Sequence, residues 1–278
     1  MAATLHGYRA QEVIPRLRLG VVPSQARPRI FQDDQGAWSG FEVGLIEALS
    51  GVTDLGFEWV WLPGLQDRVD ALANDTVDFV LSGFGATTAR EEVIDFVLPA
   101  YYTTAAALFT PDGAAPEGVK TWEDLKGKRV AALASLYDPQ LGQKLGIEEV
   151  PVASAEEAEA LIGSGQAVGF LADSTNLDLQ PTKLKAVADL QPLGPIPLAV
   201  AVAQGDAELA QKLSDAMLQL FWNGATSTIQ ELEKKWFGAG GLPPNEAVAK
   251  LVESLKAGQP VDKAGPLFTL FDSGSSSS

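Results

Sequence analysis

Apolar and polar positions along this chain follow two rhythms in turn. Short apolar runs, LRLGVV (17–22), FEWVW (57–61, closed by Pro63) and VDFVL (77–81), read as largely buried strands. Between them the spacing is helical, over 41–49 with apolar Phe41, Val43, Leu45, Ile46 and Leu49, and over 65–73. PSQARPRIFQDDQGAW separates the first strand from the first helix and reads as a loop. After the third strand, Thr88-Ala89-Arg90-Glu91 fits a capping box, which predicts a short helix reaching residue 94. An extended apolar run over 101–109 then leads into the loop TPDGAAPEG.

A second unit repeats the alternation. It predicts a strand at 128–134 and a helix at 139–145 stopped by Gly146. A second capping box at Ser154-Ala155-Glu156-Glu157 opens a helix to about 162, and the strand AVGFLAD ends on Asp173. A strand at 196–203 and helices at 206–221 and 228–237 follow. Strands alternating with helices predict an α/β fold with mostly parallel sheets. ALANDTVDFVLSG and ALIGSGQAVGFLAD share one local plan: helix end, turn, strand, polar tip. Ligands in open α/β sheets sit beyond the carboxyl ends of strands, so the two tips face a cleft between two lobes that close by a hinge.

Composition narrows the function. The 278 residues suffice for two lobes, and 46% hydrophobic with 20% charged residues is ordinary for a globular protein. A net charge of −16 argues against nucleic acid or an anionic membrane as partner. The absence of cysteine excludes disulfides and thiol chemistry, and a single histidine, His6, rules out a multi-histidine metal site. No cofactor or metal is expected. No apolar run reaches the roughly 18 residues of a membrane helix. The start lacks a hydrophobic signal core, so export implies a signal removed and Met1 added; DSGSSSS (272–278) reads as a linker or tag remnant.

Arg90 is the first candidate for chemistry. A guanidinium beside Gly83, Gly85 and helix amides can hold a small carboxylate, or it can pair with Glu91, Glu92 or Asp95 at the surface. Asp173 can receive an ammonium group or cap the segment that follows it. Among the aromatic residues, Trp61 and Tyr137 stand near strand ends, where a ligand would be. No phosphate loop, zinc-protease or nucleophile-elbow motif occurs.

Over residues 16–238 the chain resembles the periplasmic solute-binding proteins of ABC importers, of the polar amino-acid class. The resemblance rests on LRLGVV, GAWSGFEVGLIEAL, VDFVLSGFGATTAREEVIDFVLPAYYTTAAALF, TWEDLKGKRVAAL, AVGFLAD and PLAVAVAQGDAELAQKLSDAMLQLFWNG in that order. It implies a two-lobed type II periplasmic-binding fold, with 1–105 and 199–272 as one lobe, 106–198 as the other and 273–278 outside both. It implies hinges near 104–107 and 196–200, and a monomer outside the cytoplasm that serves a membrane permease. By the same resemblance Arg90 grips a carboxylate, Asp173 takes an ammonium, and Gly83 and Gly85 offer backbone contacts. Ser24, Trp61, Ser135 and Tyr137 complete the expected ligand contacts.

The chain departs from the family in three turns. Gly85 replaces a Thr or Ser. Ala134-Ser135-Leu136-Tyr137 stands for a G-T-x turn. Ser24-Gln25-Ala26-Arg27-Pro28 lacks the usual aromatic and adds a cation. The expected function is capture of an amino acid or related small zwitterion. The alternatives are a dehydratase of the aromatic amino-acid kind on the same scaffold, and a sensor domain of a receptor. Residues 239–272 run past the usual family end.

Overall fold

A computed structural model describes residues 16–22, 27–64, 66–133, 139–175, 182–238 and 245–272. Strand β1 (Arg16–Val21) is followed by a small hairpin, β2 (Phe31–Gln32) and β3 (Trp38–Ser39). Next come α1 (Phe41–Thr53), β4 (Gly56–Trp61), α2 (Gln66–Ala73), β5 (Phe79–Val80), α3 (Thr88–Glu91) and the long β6 (Ile94–Thr110). A 3-10 turn at Trp122–Leu125 leads to β7 (Arg129–Leu133), α4 (Pro139–Leu145), β8 (Glu148–Val152), α5 (Ala155–Gly163), β9 (Phe170–Asp173) and β10 (Lys185–Ala186). The chain ends with β11 (Leu193–Ala203), α6 (Ala207–Phe221), α7 (Thr228–Trp236) and α8 (Glu246–Lys256).

The main sheet runs β4-β1-β5-β11-β6-β9-β7-β8, with β10 also on β6. Its two ends are parallel: β4, β1 and β5 in one half, β9, β7 and β8 in the other. The middle is antiparallel, because β6 and β11 run past each other and belong to both halves. Their ladder is irregular between Leu193 and Ile196 and again between Leu198 and Val200. One apolar core, with Phe41, Phe79, Phe84, Tyr101 and Phe221, fills the first half. Two smaller clusters, around Trp122 and Leu171 and around Phe109 and Phe170, cover the second.

The shared local plan is a shared backbone geometry. Asp75 and Gly165 end their helices at positive φ, 51° and 73°. Thr76 N and Gln166 N close the same turn on Ala71 O and Leu161 O, each at 2.8 Å. Asp78 N and Val168 N then join Arg18 O and Arg129 O of the neighbouring strands, again at 2.8 Å.

Several boundaries differ from the sequence reading. The cap of α3 is Thr87, whose Oγ1 accepts from Arg90 N at 3.3 Å, so the expected box at Thr88 does not form. Glu91 instead accepts from Phe96 N at 3.0 Å. The helix stops before residue 94, because Ile94 pairs with Ala203 and starts β6. The loop before α1 contains the β2–β3 hairpin, and β8 lies where no strand was expected. Residues 245–272 form α8 and a strap. Ala100 N donates to Leu267 O (2.7 Å), Phe271 N to Ala86 O (2.7 Å) and Thr88 N to Phe271 O (3.2 Å). Phe271 also packs against the Trp122 cluster of the other half.

Candidate functional site

The turn 82–85 follows β5 and faces the crossing strands. It is pinned to β11 by Ala86 N on Pro197 O (2.8 Å) and Ala199 N on Phe84 O (3.0 Å). Three arginines gather around it. Arg90 is half-buried, donates Nη1 to Gly85 O at 2.8 Å and lies 4.9 Å from the Phe84 ring centroid. Arg68, fully buried, donates to Ser82 O and covers the Phe84 ring at 4.1 Å. Burial, and then Arg90, pull the Arg68 pKa well below its ordinary value. The intrinsic basicity of a guanidinium still keeps it charged at neutral pH. Arg29 fills the space beside Gly83: a Cβ there would collide with the guanidinium, and Gly83 has φ +55°.

Glu42, from the first turn of α1, lies under the same turn. Its Oε1 accepts from Gly83 N and from the Tyr101 hydroxyl, both at 2.7 Å. Burial, and then the Glu42 carboxylate, push the Tyr101 phenol well up, which keeps it a donor. The backbone carrying Arg29 is held by α1, whose N-terminal amides need partners. Phe41 N donates to Pro28 O (3.0 Å) and Glu42 N to Arg29 O (2.9 Å). Gly40 permits this approach, since any side chain there would strike the Arg29 carbonyl.

Asp173 ends β9, paired with Ala106 of β6 at the floor between the halves. Its Oδ1 accepts from Thr104 Oγ1 (2.5 Å), Thr175 N (2.8 Å) and Thr175 Oγ1 (2.5 Å). Its Oδ2 stands 3.8 Å from Arg29 Nη1, with both side chains buried at 6% and 4% exposure. This ion pair joins the loop after β1 to the far half of the sheet.

The structure therefore brings Arg90, Gly83, Gly85 and Asp173 to the region where the crossing strands meet. The Gly83 amide and the Gly85 carbonyl are both engaged within the chain. Trp61 lies elsewhere, on edge strand β4, level with Val21 and two strands from β5. It is 44% exposed and stacks on Trp38 at 4.5 Å. Ser24, Ser135 and Tyr137 lie outside the described residues. Sequence reasoning missed Arg29, Glu42 and Arg68. Arg68 had a signal: it stands four residues before Leu72, on the apolar face of α2. A separate groove of about 400 Å³ between α8 and the strap is lined by none of the candidate residues. Among the described residues no cluster of three or more acids or histidines could hold a metal.

The family profile of the bacterial extracellular solute-binding proteins, family 3, matches residues 17–239. The chain belongs to this family. It is 30% identical over 219 residues to the amino-acid-binding protein AabA of Dichelobacter nodosus, covering 76% of this chain and 83% of the relative. It is 30% identical over 228 residues to the L-arginine-binding protein of Pseudomonas aeruginosa, covering 77% and 86%. Among solved structures, an ancestral arginine-binding protein bound to glutamine superposes with a TM-score of 0.68 at 25% identity. That match covers 82% of this chain and all of the other. The chain is thus a solute-binding protein with the two-lobed type II periplasmic-binding fold, and its family and relatives bind rather than catalyse. No helix among the described residues is long and apolar enough to cross a membrane.

Proposed function

We propose that this protein captures a small carboxylate-bearing solute, an amino acid or an acid derived from one, between its two lobes. It acts as a monomer outside the cytoplasmic membrane and delivers the solute to the permease of an ABC importer. The observation that carries this reading is the gathering of three arginines around the turn 82–85, at the carboxyl end of β5. Arg90 is the proposed carboxylate grip. It is anchored on Gly85 O and on the Phe84 ring, which orders the guanidinium before a ligand arrives. Residues 1–105 with 199–272 form one lobe and 106–198 the other. They swing about 104–107 and 196–200, where the β6–β11 ladder is irregular.

Arg90→Ala tests the assignment. Two charge-assisted bonds at about 1.5–3 kcal/mol each predict an affinity loss of about 100-fold or more, read by titration calorimetry. Circular dichroism and thermal unfolding should show the fold retained. Unchanged affinity in this variant overturns Arg90 as the grip.

A further inference from the structure

Asp173 is where a ligand ammonium would be met, and it is already met from within the chain. Three donors from Thr104 and Thr175 converge on Oδ1, and Arg29 faces Oδ2. Oδ2 accepts none of those bonds and faces the Arg29 guanidinium at 3.8 Å, so an ammonium arriving there would meet a second cation. Arg29 is firmly placed. Its backbone carbonyl holds the N-terminus of α1, and its guanidinium lies in the space that Gly83 leaves open.

The charges point the same way. Among the described residues around the turn, Arg29, Arg68 and Arg90 stand against Glu42 and Asp173. The excess is one positive charge. The next acid, Glu233 near Tyr102, is pushed up by burial to about 8, which favours its neutral form at neutral pH. A monocarboxylate closing into this site neutralises it. A zwitterion would leave the excess charge buried, which is costly.

We infer that Arg29 takes the place of the ligand's ammonium, so that the cleft selects small carboxylates without an α-ammonium group over the matching α-amino acids. The inference rests on the proposed capture of a carboxylate in this cleft.

The test is a matched-pair titration of the full chain, freed of carried-over ligand by unfolding and refolding. The pairs are alanine with lactate, serine with glycerate, leucine with 2-hydroxy-4-methylpentanoate, phenylalanine with 3-phenyllactate, and glutamate with 2-hydroxyglutarate. Calorimetry and thermal shift should find the tightest ligand among the hydroxy acids, at least tenfold tighter than its amino partner. Arg29→Ala should reverse that order, because Asp173 then lacks a cation; Arg29→Gln serves if the alanine variant does not fold. A wild-type preference for the amino member overturns the inference and leaves the capture reading standing. An unchanged order in a folded Arg29 variant does the same. Binding of neither member of any pair removes the capture reading, and the inference with it.

Discussion

A methyl group at Gly83 would meet the Arg29 guanidinium, and the backbone there has φ +55°, which L side chains rarely adopt. Gly83→Ala should therefore destabilise the protein by on the order of 2 kcal/mol in a denaturant titration. It should also blunt the discrimination between hydroxy and amino acids, because Arg29 is pushed from Asp173. Glu233 gives a second prediction. Burial raises its pKa to about 8, so the folded state holds a proton that the unfolded chain has released above about 4.5. Stability on this account is full below about pH 4.5 and falls as pH rises towards 8. Glu233→Gln should remove that slope and stabilise the protein at pH 8 by on the order of a few kcal/mol, read as melts across the pH range. Arg90 was legible as a candidate because a turn, a cap and an arginine lie within a few residues of sequence. The role of Asp173 was only half legible. Its position at a strand tip follows from the local pattern, but its partner Arg29 comes from a distant loop that only the folded chain brings near.

The strap at 257–272 bonds to the same segment that carries Arg90, through Phe271 on Ala86 and Thr88. Removing those bonds frees two backbone groups of the segment that follows the turn. Phe271→Ala should cost about 1–2 kcal/mol, less than a fully buried phenylalanine, since this one is only partly buried. A chain ending at residue 264 should show faster amide exchange at Thr88 and Ala100, whose N–H groups donate to Phe271 O and Leu267 O, and weaker ligand binding; unaltered exchange would show that the strap does not support the turn. Long elements such as α1, α6 and β1 were readable because a single periodicity persists through them. The cap of α3 was misread because Thr87 and Thr88 offer equivalent hydroxyls. The choice between them was made by β6, which claims Ile94 for its ladder with β11. β8, with the sequence EEVPV and mostly exposed faces, carries too little apolar signal to stand out.

The whole molecule is two half-sheets sharing the strands β6 and β11. A solute held between the halves should pull them together. At a concentration of 100 times Kd it should stabilise the closed form by about 2.7 kcal/mol, and small-angle scattering should record a smaller radius of gyration. A melting shift without compaction would place binding outside the cleft. The α/β class was readable from alternation alone. The antiparallel middle was not, because the segments that form it are continuous apolar runs whose direction the sequence does not mark. The sheet order has one more consequence, for the order of synthesis. β5 and β6 are neighbours in the chain but not in the sheet, because β11 lies between them. Strands β7, β8 and β9 have all emerged by residue 173, whereas β5 gains its second neighbour only with β11, which ends at Ala203. β5 thus waits with one edge unpaired until Ala201, its partner in β11, has emerged, and a chaperone that covers such an edge would act in this interval.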